Sequence, residues 1–173
     1  IYRIPVVCLV FPAAPSPLRW PEVVLTLGRT ASDGFDRLAD ALVEAAAARD
    51  VKLVWFTSCH RAEGRTTLVM TLARTLAQRP VRTLLADADL AAPALARSLG
   101  LRPEAGLDDV AAAARPLADV LVETPGGRLA VLPLRGPVAS PRTFFRAPGW
   151  ACTAARLRRE FALVLLDGGP VFT

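Results

Sequence analysis

The stretch 51-VKLVWFTSCHRAEGRTTLVMTLARTLAQ-78 decides the fold. Residues 51–57 form a short, nearly continuous apolar run, the pattern of a strand buried on both faces of a parallel sheet. Residues 58–65 are polar and contain a single glycine, Gly64. Residues 66–78 then repeat apolar side chains at helical spacing. A strand, a glycine-bearing loop and a helix in that order make a site for an anion. The first N–H groups of the helix have no internal acceptor, and they carry the positive end of the helix dipole.

The loop can be set against the phosphate-binding pattern GxxxxGK[ST]. Cys59 stands at the first glycine, and His60, Arg61, Ala62 and Glu63 fill the turn. Gly64 matches the second glycine, Arg65 replaces the lysine, Thr66 supplies the hydroxyl expected on Mg²⁺, and Thr67 follows. Arginine keeps the charge but presents a planar fork where lysine presents a compact point charge. We therefore expect weakened nucleotide binding and a larger loss in phosphoryl transfer. Lys52, the only lysine, cannot substitute, because it starts the preceding strand, roughly 20 Å away at strand rise.

Outward from this stretch, strands and helices alternate. Residues 81–86 read as a second buried strand that runs into Asp87-Ala88-Asp89. Short helices are expected at 93–99 and 107–114, with a continuation at 117–123. A third strand is expected at 129–132, a long loop at 134–148 and a helix at 150–160. The fourth strand, 162–166, ends at Asp167. Upstream, 4–11 reads as an edge strand or extended lead-in, 12–21 as a proline-rich linker, and a helix runs from Asp33 to about residue 49. The order predicts an α/β fold, a parallel sheet with helices on both faces. We divide the chain into a lead-in and linker over 1–32 and a P-loop nucleotide-binding domain over 33–173, truncated at the C-terminus.

Ligands of such sheets bind beyond the carboxyl ends of the strands. Three polar clusters fall there: 58–67, Asp87 with Asp89, and Asp167 with Gly168 and Gly169. Each has a plain structural reading alone, as a turn or a helix cap. Their joint occurrence at successive strand ends points to a polyphosphate with its metal. Paired carboxylates there can hold hydrated Mg²⁺ or orient a hydroxyl.

Composition narrows the classes. With 53% hydrophobic and 21% charged residues the chain is globular. The net charge of +5 comes almost wholly from arginine. No run of basic residues and no interleaving of aromatic with basic residues supports nucleic-acid binding. Cys8, Cys59 and Cys152 are widely spaced, which supports neither a zinc site nor a disulfide framework and suits a reducing compartment. His60 is the only histidine and reads as a loop residue near phosphate.

Residues 51–173 resemble the cytoplasmic domain of bacterial tyrosine kinases that control capsule and exopolysaccharide synthesis, a group within the ParA/MinD-like P-loop ATPases. The stretches that carry the likeness are the one quoted above, VRTLLADADLAAPALARSLGLRPEAGLDDV, LAVLPLRGPVASPRTFF and FALVLLDGGPV. The resemblance implies ATP and Mg²⁺ as cofactors, with the nucleotide held by 59–67. It implies a metal set of Thr66, Asp87 and Asp167, with Asp167 as the Walker-B carboxylate. Asp87, Asp89 and Arg65 are the implied catalytic residues, one aspartate activating a tyrosine hydroxyl. It further implies a polysaccharide co-polymerase or membrane anchor, in cis or trans, at the inner face of the plasma membrane, and a homo-oligomer.

Several positions depart from the family pattern. Ala91 and Ala92 replace basic residues, and Gly168-Gly169 replaces Thr-Pro. Asp33, Asp36 and Ala39 occupy the places of an ExxRxxR oligomerisation motif, which predicts weakened self-association. Tyr2 is the only tyrosine. Two functions follow from the resemblance: phosphoryl transfer from Mg-ATP to tyrosine, or a catalytically impaired nucleotide-sensing or scaffolding module of polysaccharide export. A ParA-like partition ATPase stands third.

Overall fold

The computed structural model describes residues 18–172. The expected strand at 4–11 and most of the proline-rich linker lie outside these residues. The elements run α1 (Glu22–Thr30), α2 (Ser32–Arg49), β1 (Leu53–Phe56), α3 (Arg65–Leu76), β2 (Thr83–Ala88), α4 (Leu95–Ser98) and α5 (Leu107–Ala111). They continue with α6 (Leu117–Val120), β3 (Val122–Glu123), β4 (Leu129–Leu132), α7 (Pro141–Arg146), α8 (Pro148–Glu160) and β5 (Leu163–Gly168).

One five-stranded sheet has the order β1-β5-β2-β4-β3. The β1–β5, β5–β2 and β2–β4 pairs are parallel. Side chains alternate across the strands, and the alternation builds two cores. Leu85, Val131, Leu163 and Leu165 pack with Val24 of α1, Phe35 and Ala39 of α2, and Val69, Leu72 and Leu76 of α3. Leu84, Leu132, Val164 and Leu166 face the other way, against Leu107 and Val110 of α5, Leu117 of α6, and Leu157 with Phe161 at the end of α8. Helices therefore cover both faces, and β2 and β5 are buried along their whole length.

Four details correct the sequence expectations. The last strand in the sheet order, β3, pairs antiparallel with β4, so the sheet is not wholly parallel; Val122 and Glu123 fall inside the stretch expected to continue a helix. β1 stands at the other end of the sheet order and is only partly buried, with Trp55 41% exposed. The expected loop at 134–148 contains α7, whose first residue, Pro141, has the backbone geometry a first helical turn needs. Glu22–Thr30 is a helix that the sequence pattern did not distinguish. It starts straight after Pro21 with no capping side chain, yet it buries Val24 completely.

Two of the three positions expected to carry an oligomerisation motif, Asp36 and Ala39, are used internally, while Asp33 is exposed. Ala39 is fully buried in the first core. Asp36 and Asp40, one turn apart on α2, both grip the Arg79 guanidinium, each at 2.8 Å. Among the described residues no helix is long and apolar enough to cross a membrane.

Candidate functional site

The sheet register places the strand ends side by side. Asp167 of β5 pairs with Phe56 of β1 on one side and with Asp87 of β2 on the other. The loop leaving β1 reaches α3 through Gly64, whose φ of 82° is the left-handed conformation that glycine adopts without strain. The N–H groups of Arg65, Thr66 and Thr67 open the helix and have no intrahelical acceptor; the first such bond is Leu68 N–H to the Gly64 carbonyl at 2.9 Å. Ala62 adopts a φ of 64°, a costly conformation for a residue with a β-carbon. The loop thus stores strain beside its glycine.

Local bonds hold the loop to the segment that follows β5. Thr57 Oγ1 donates to the Gly169 carbonyl at 2.8 Å. The N–H groups of Val171 and Phe172 donate to the Ser58 and Cys59 carbonyls at 2.9 and 3.0 Å. Glu63 folds back and accepts the Cys59 N–H at 3.0 Å, closing the turn on itself. Gly168 is required for a packing reason: a β-carbon there would collide with the Trp55 indole.

A hollow of about 410 Å³ opens at this edge, lined by Ser58, residues 61–67, Asp89, Ala92, Ala94 and Arg97. Of the residues singled out from sequence, Arg61, Ala62, Glu63, Gly64, Arg65, Thr66, Thr67 and Asp89 line it. Cys59 and His60 do not; Cys59 is an exposed free thiol, and the His60 ring sits 5.8 Å from Phe172. Asp87 and Asp167 lie beneath the lining, 0% and 1% exposed. Sequence reasoning placed Ser58 in the strand-end cluster without a role, noted Ala92 only as a departure from the family pattern, and did not identify Ala94 or Arg97. Only the folding-back of the β2–α4 segment brings the last three to the loop.

Arg65 is the centre of the site's electrostatics. Its Nε donates to Asp167 Oδ1 at 2.7 Å, one terminal nitrogen to Ser58 Oγ at 3.1 Å, and the other to Asp89 Oδ2 at 3.3 Å. Arg61 also reaches Asp89 Oδ2, at 3.3 Å. The Arg65 side chain is only 12% exposed. The planar fork therefore ties the phosphate loop to the ends of β2 and β5. A lysine could satisfy only part of that set.

The two deeper carboxylates differ. Asp87 spends both oxygens on backbone: Oδ1 accepts the Asp89 N–H at 3.2 Å, and Oδ2 accepts those of Ala94 and Leu95, each at 3.0 Å. It fastens the β2–α4 turn instead of facing the hollow; Asp89 takes the facing position. Burial pushes the Asp87 carboxyl up to about 7, against the lowering effect of the Leu95 N–H, while Asp167 adds to the rise. Asp167 is raised as well, chiefly by burial, with Arg65 opposing. Its Oδ2 is buried and has no hydrogen-bond partner among the described residues. The Thr66 hydroxyl lies beside this carboxylate.

These features fit a polyphosphate and a lightly held metal. Free helix N–H groups, Arg61 and Arg97 would face an anion held there. The Thr66 hydroxyl and the orphaned Asp167 Oδ2 are hard oxygen donors beside it. Among the described residues no group of three or more His, Cys, Asp or Glu side chains could hold a metal ion. Mg²⁺ suits such a site because it keeps most of its water and takes one or two protein oxygens plus phosphate.

With this geometry the chain can be placed among known proteins. No protein-family model matches it, and no curated protein does. Solved structures do. The kinase domain of VpsO is 26% identical, with a TM-score of 0.68, over 82% of this chain and 71% of that one. The kinase domain of the Escherichia coli tyrosine kinase ETK is 22% identical, with a TM-score of 0.72, over 85% of this chain and 59% of that one. The septum site-determining protein MinD from Pyrococcus horikoshii, complexed with Mg-ADP, is 22% identical, with a TM-score of 0.53, over 67% of this chain and 48% of that one.

The fold is that of these structures: a mostly parallel α/β sheet covered by helices on both faces, as in MinD. The chain is built like the kinase domains of VpsO and of the tyrosine kinase ETK.

Proposed function

We propose that this domain binds ATP at the hollow formed by residues 61–67, Asp89 and Arg97, as a nucleotide-sensing module of the bacterial tyrosine-kinase type. The observation that carries the reading is Arg65, held at once by Asp167, Asp89 and Ser58. The same cation that favours phosphate in the hollow neutralises the two carboxylates that phosphoryl transfer needs. In that state the loop is set to bind, and the acid–base and metal positions are engaged.

In the bound state the N–H groups at the start of α3 and the Arg61 guanidinium would hold the phosphates. Thr66 and Asp167 would hold Mg²⁺, which supplies charge neutralisation between phosphate oxygens when bound. Asp87 keeps the β2–α4 turn in place, which keeps Asp89 at the hollow. The wider reading, a scaffold or regulator of polysaccharide export acting with a co-polymerase or anchor at the inner membrane face, rests on the resemblance to kinases of that machinery. A homo-oligomer there would not use Asp36, which is already paired with Arg79.

A second reading is phosphoryl transfer to tyrosine. Asp89 favours it, because this carboxylate faces the hollow and is the one placed to accept a hydroxyl proton. The reading requires Arg65 to release it. Thermal unfolding with and without Mg-ATP tests the binding claim: at 100 times its dissociation constant the ligand adds about 2.7 kcal/mol. An unchanged midpoint at millimolar Mg-ATP would remove both readings. Phosphotyrosine on a co-incubated tyrosine substrate separates the second from the first.

A further inference from the structure

A second hollow, about 780 Å³, lies beside the first and shares Ala92 and Arg97 with it. Four segments build it: Arg19 ahead of α1, the turn at 91–93 with α4, the stretch 100–103, and the loop 134–137. Backbone bonds hold these together. Val138 N–H donates to the Leu90 carbonyl at 2.7 Å, and Arg19 N–H to the Leu99 carbonyl at 2.9 Å. The Arg19 stem crosses Gly100, whose φ of 70° keeps that corner open.

Four arginines line this space: Arg19, Arg97, Arg102 and Arg135. No carboxylate lines it. Arg29, Arg61, Arg79, Arg82, Arg156 and Arg158 all have acidic partners. The guanidiniums of these four make no ion pair or hydrogen bond among the described residues, which is also true of eight other arginines; what distinguishes the four is that they converge on one hollow. Converging charges of one sign around a concave wall focus a positive field. The remaining wall is largely apolar, including Ala91, Pro93, Leu101 and Leu134.

We propose that this hollow is a separate binding site for a small molecule bearing a phosphoanhydride, taken without a divalent metal. The size falls in the range of small-ligand pockets, about 300–1,000 Å³. Guanidinium forks match phosphate oxygens bidentately. Several guanidiniums call for a multiply charged group, which a single phosphate does not supply as well. The apolar wall takes the rest of the ligand. A metal has no oxygen ligand from a side-chain carboxylate here, which separates this site from the phosphate loop. The proposal does not require nucleotide at that loop.

Titration with inorganic pyrophosphate in EDTA tests it, followed by backbone amide shifts. Saturable shifts are expected at 101–102 and 134–136, with orthophosphate at least about tenfold weaker. In Arg102→Ala/Arg135→Ala the pyrophosphate affinity should fall at least about tenfold, while ATP-induced shifts at 64–67 persist. Arg102→Lys/Arg135→Lys should recover part of the affinity. An unchanged spectrum elsewhere shows that the variants fold. Pyrophosphate affinity unaltered by the alanine pair, or orthophosphate binding as tightly as pyrophosphate, overturns the proposal. Loss of the ATP shifts at 64–67 in the unsubstituted chain would sink the nucleotide reading and leave this one standing.

Discussion

Arg65 joins the loop before α3 to the ends of β2 and β5 through one side chain. The guanidinium holds three partners from three segments, and two of them are carboxylates that are 5% and 1% exposed. Arg65→Lys should release part of this set. A lysine ammonium cannot span Asp167, Asp89 and Ser58 together, so the Asp167 and Asp89 oxygens become available to metal and substrate. We expect the Mg-ATP affinity to rise by about tenfold, worth about 1.4 kcal/mol, and unliganded stability to fall. Calorimetric titration of the two proteins measures the first effect; equal affinities would show that the Arg65 pairs do not restrain the site. Asp87 gives a pH signature. Its carboxyl is raised to about 7 by burial, so the folded chain binds a proton that the unfolded chain has released between roughly pH 4 and 7. Stability from this group is full below the unfolded value and is lost as pH rises through 7. Asp167 is raised also and acts in the same direction. In EDTA the unfolding midpoint should therefore fall from pH 6 to pH 8, and Asp87→Asn should flatten that slope. A midpoint that climbs over this interval would contradict the assignment.

At the scale of elements, what could be read from sequence depended on how continuous the pattern was. β2, β4 and β5 were legible because both faces of each are buried, which leaves an unbroken apolar run. β3 was not, because two residues carry no periodicity and they follow α6 directly. α1 was hidden by the proline-rich stretch before it and by the lack of a capping side chain. Its place against α3 depends on Val24, which is 0% exposed. Val24→Asp would bury an unpaired carboxylate there, and we expect a loss of at least about 3 kcal/mol in chemical denaturation. A loss below about 0.5 kcal/mol would mean that Glu22–Thr30 is not an integral part of the domain. The site was legible to the same degree. Gly64, Asp89 and Asp167 stand at strand ends or helix starts, where the motif spacing points to them. The Arg65 pairs join residues 24 and 102 positions apart, and no local pattern encodes that meeting.

For the whole molecule, the doubly covered sheet explains why chemistry collects at one edge. Two cores hold β5 and β2 rigidly side by side, and their last residues, Asp167 and Asp87, inherit that fixed spacing. The loop after β1 is then tied to the segment that follows β5 by Thr57, Ser58 and Cys59. The excess of arginine is distributed unevenly over this scaffold. Part of it is neutralised in pairs, part lines the loop hollow, and four unpaired arginines gather next door. The domain thus combines the fold of the MinD, VpsO and ETK structures with a cation lodged among its own carboxylates. The most direct test of that account is a titration with ATP and Mg²⁺ read residue by residue through backbone amide shifts. The account predicts saturable shifts concentrated at 61–67, Asp89, Ala92 and Arg97, with one nucleotide per chain. No shifts at millimolar ATP, or shifts that leave 61–67 untouched, would contradict it.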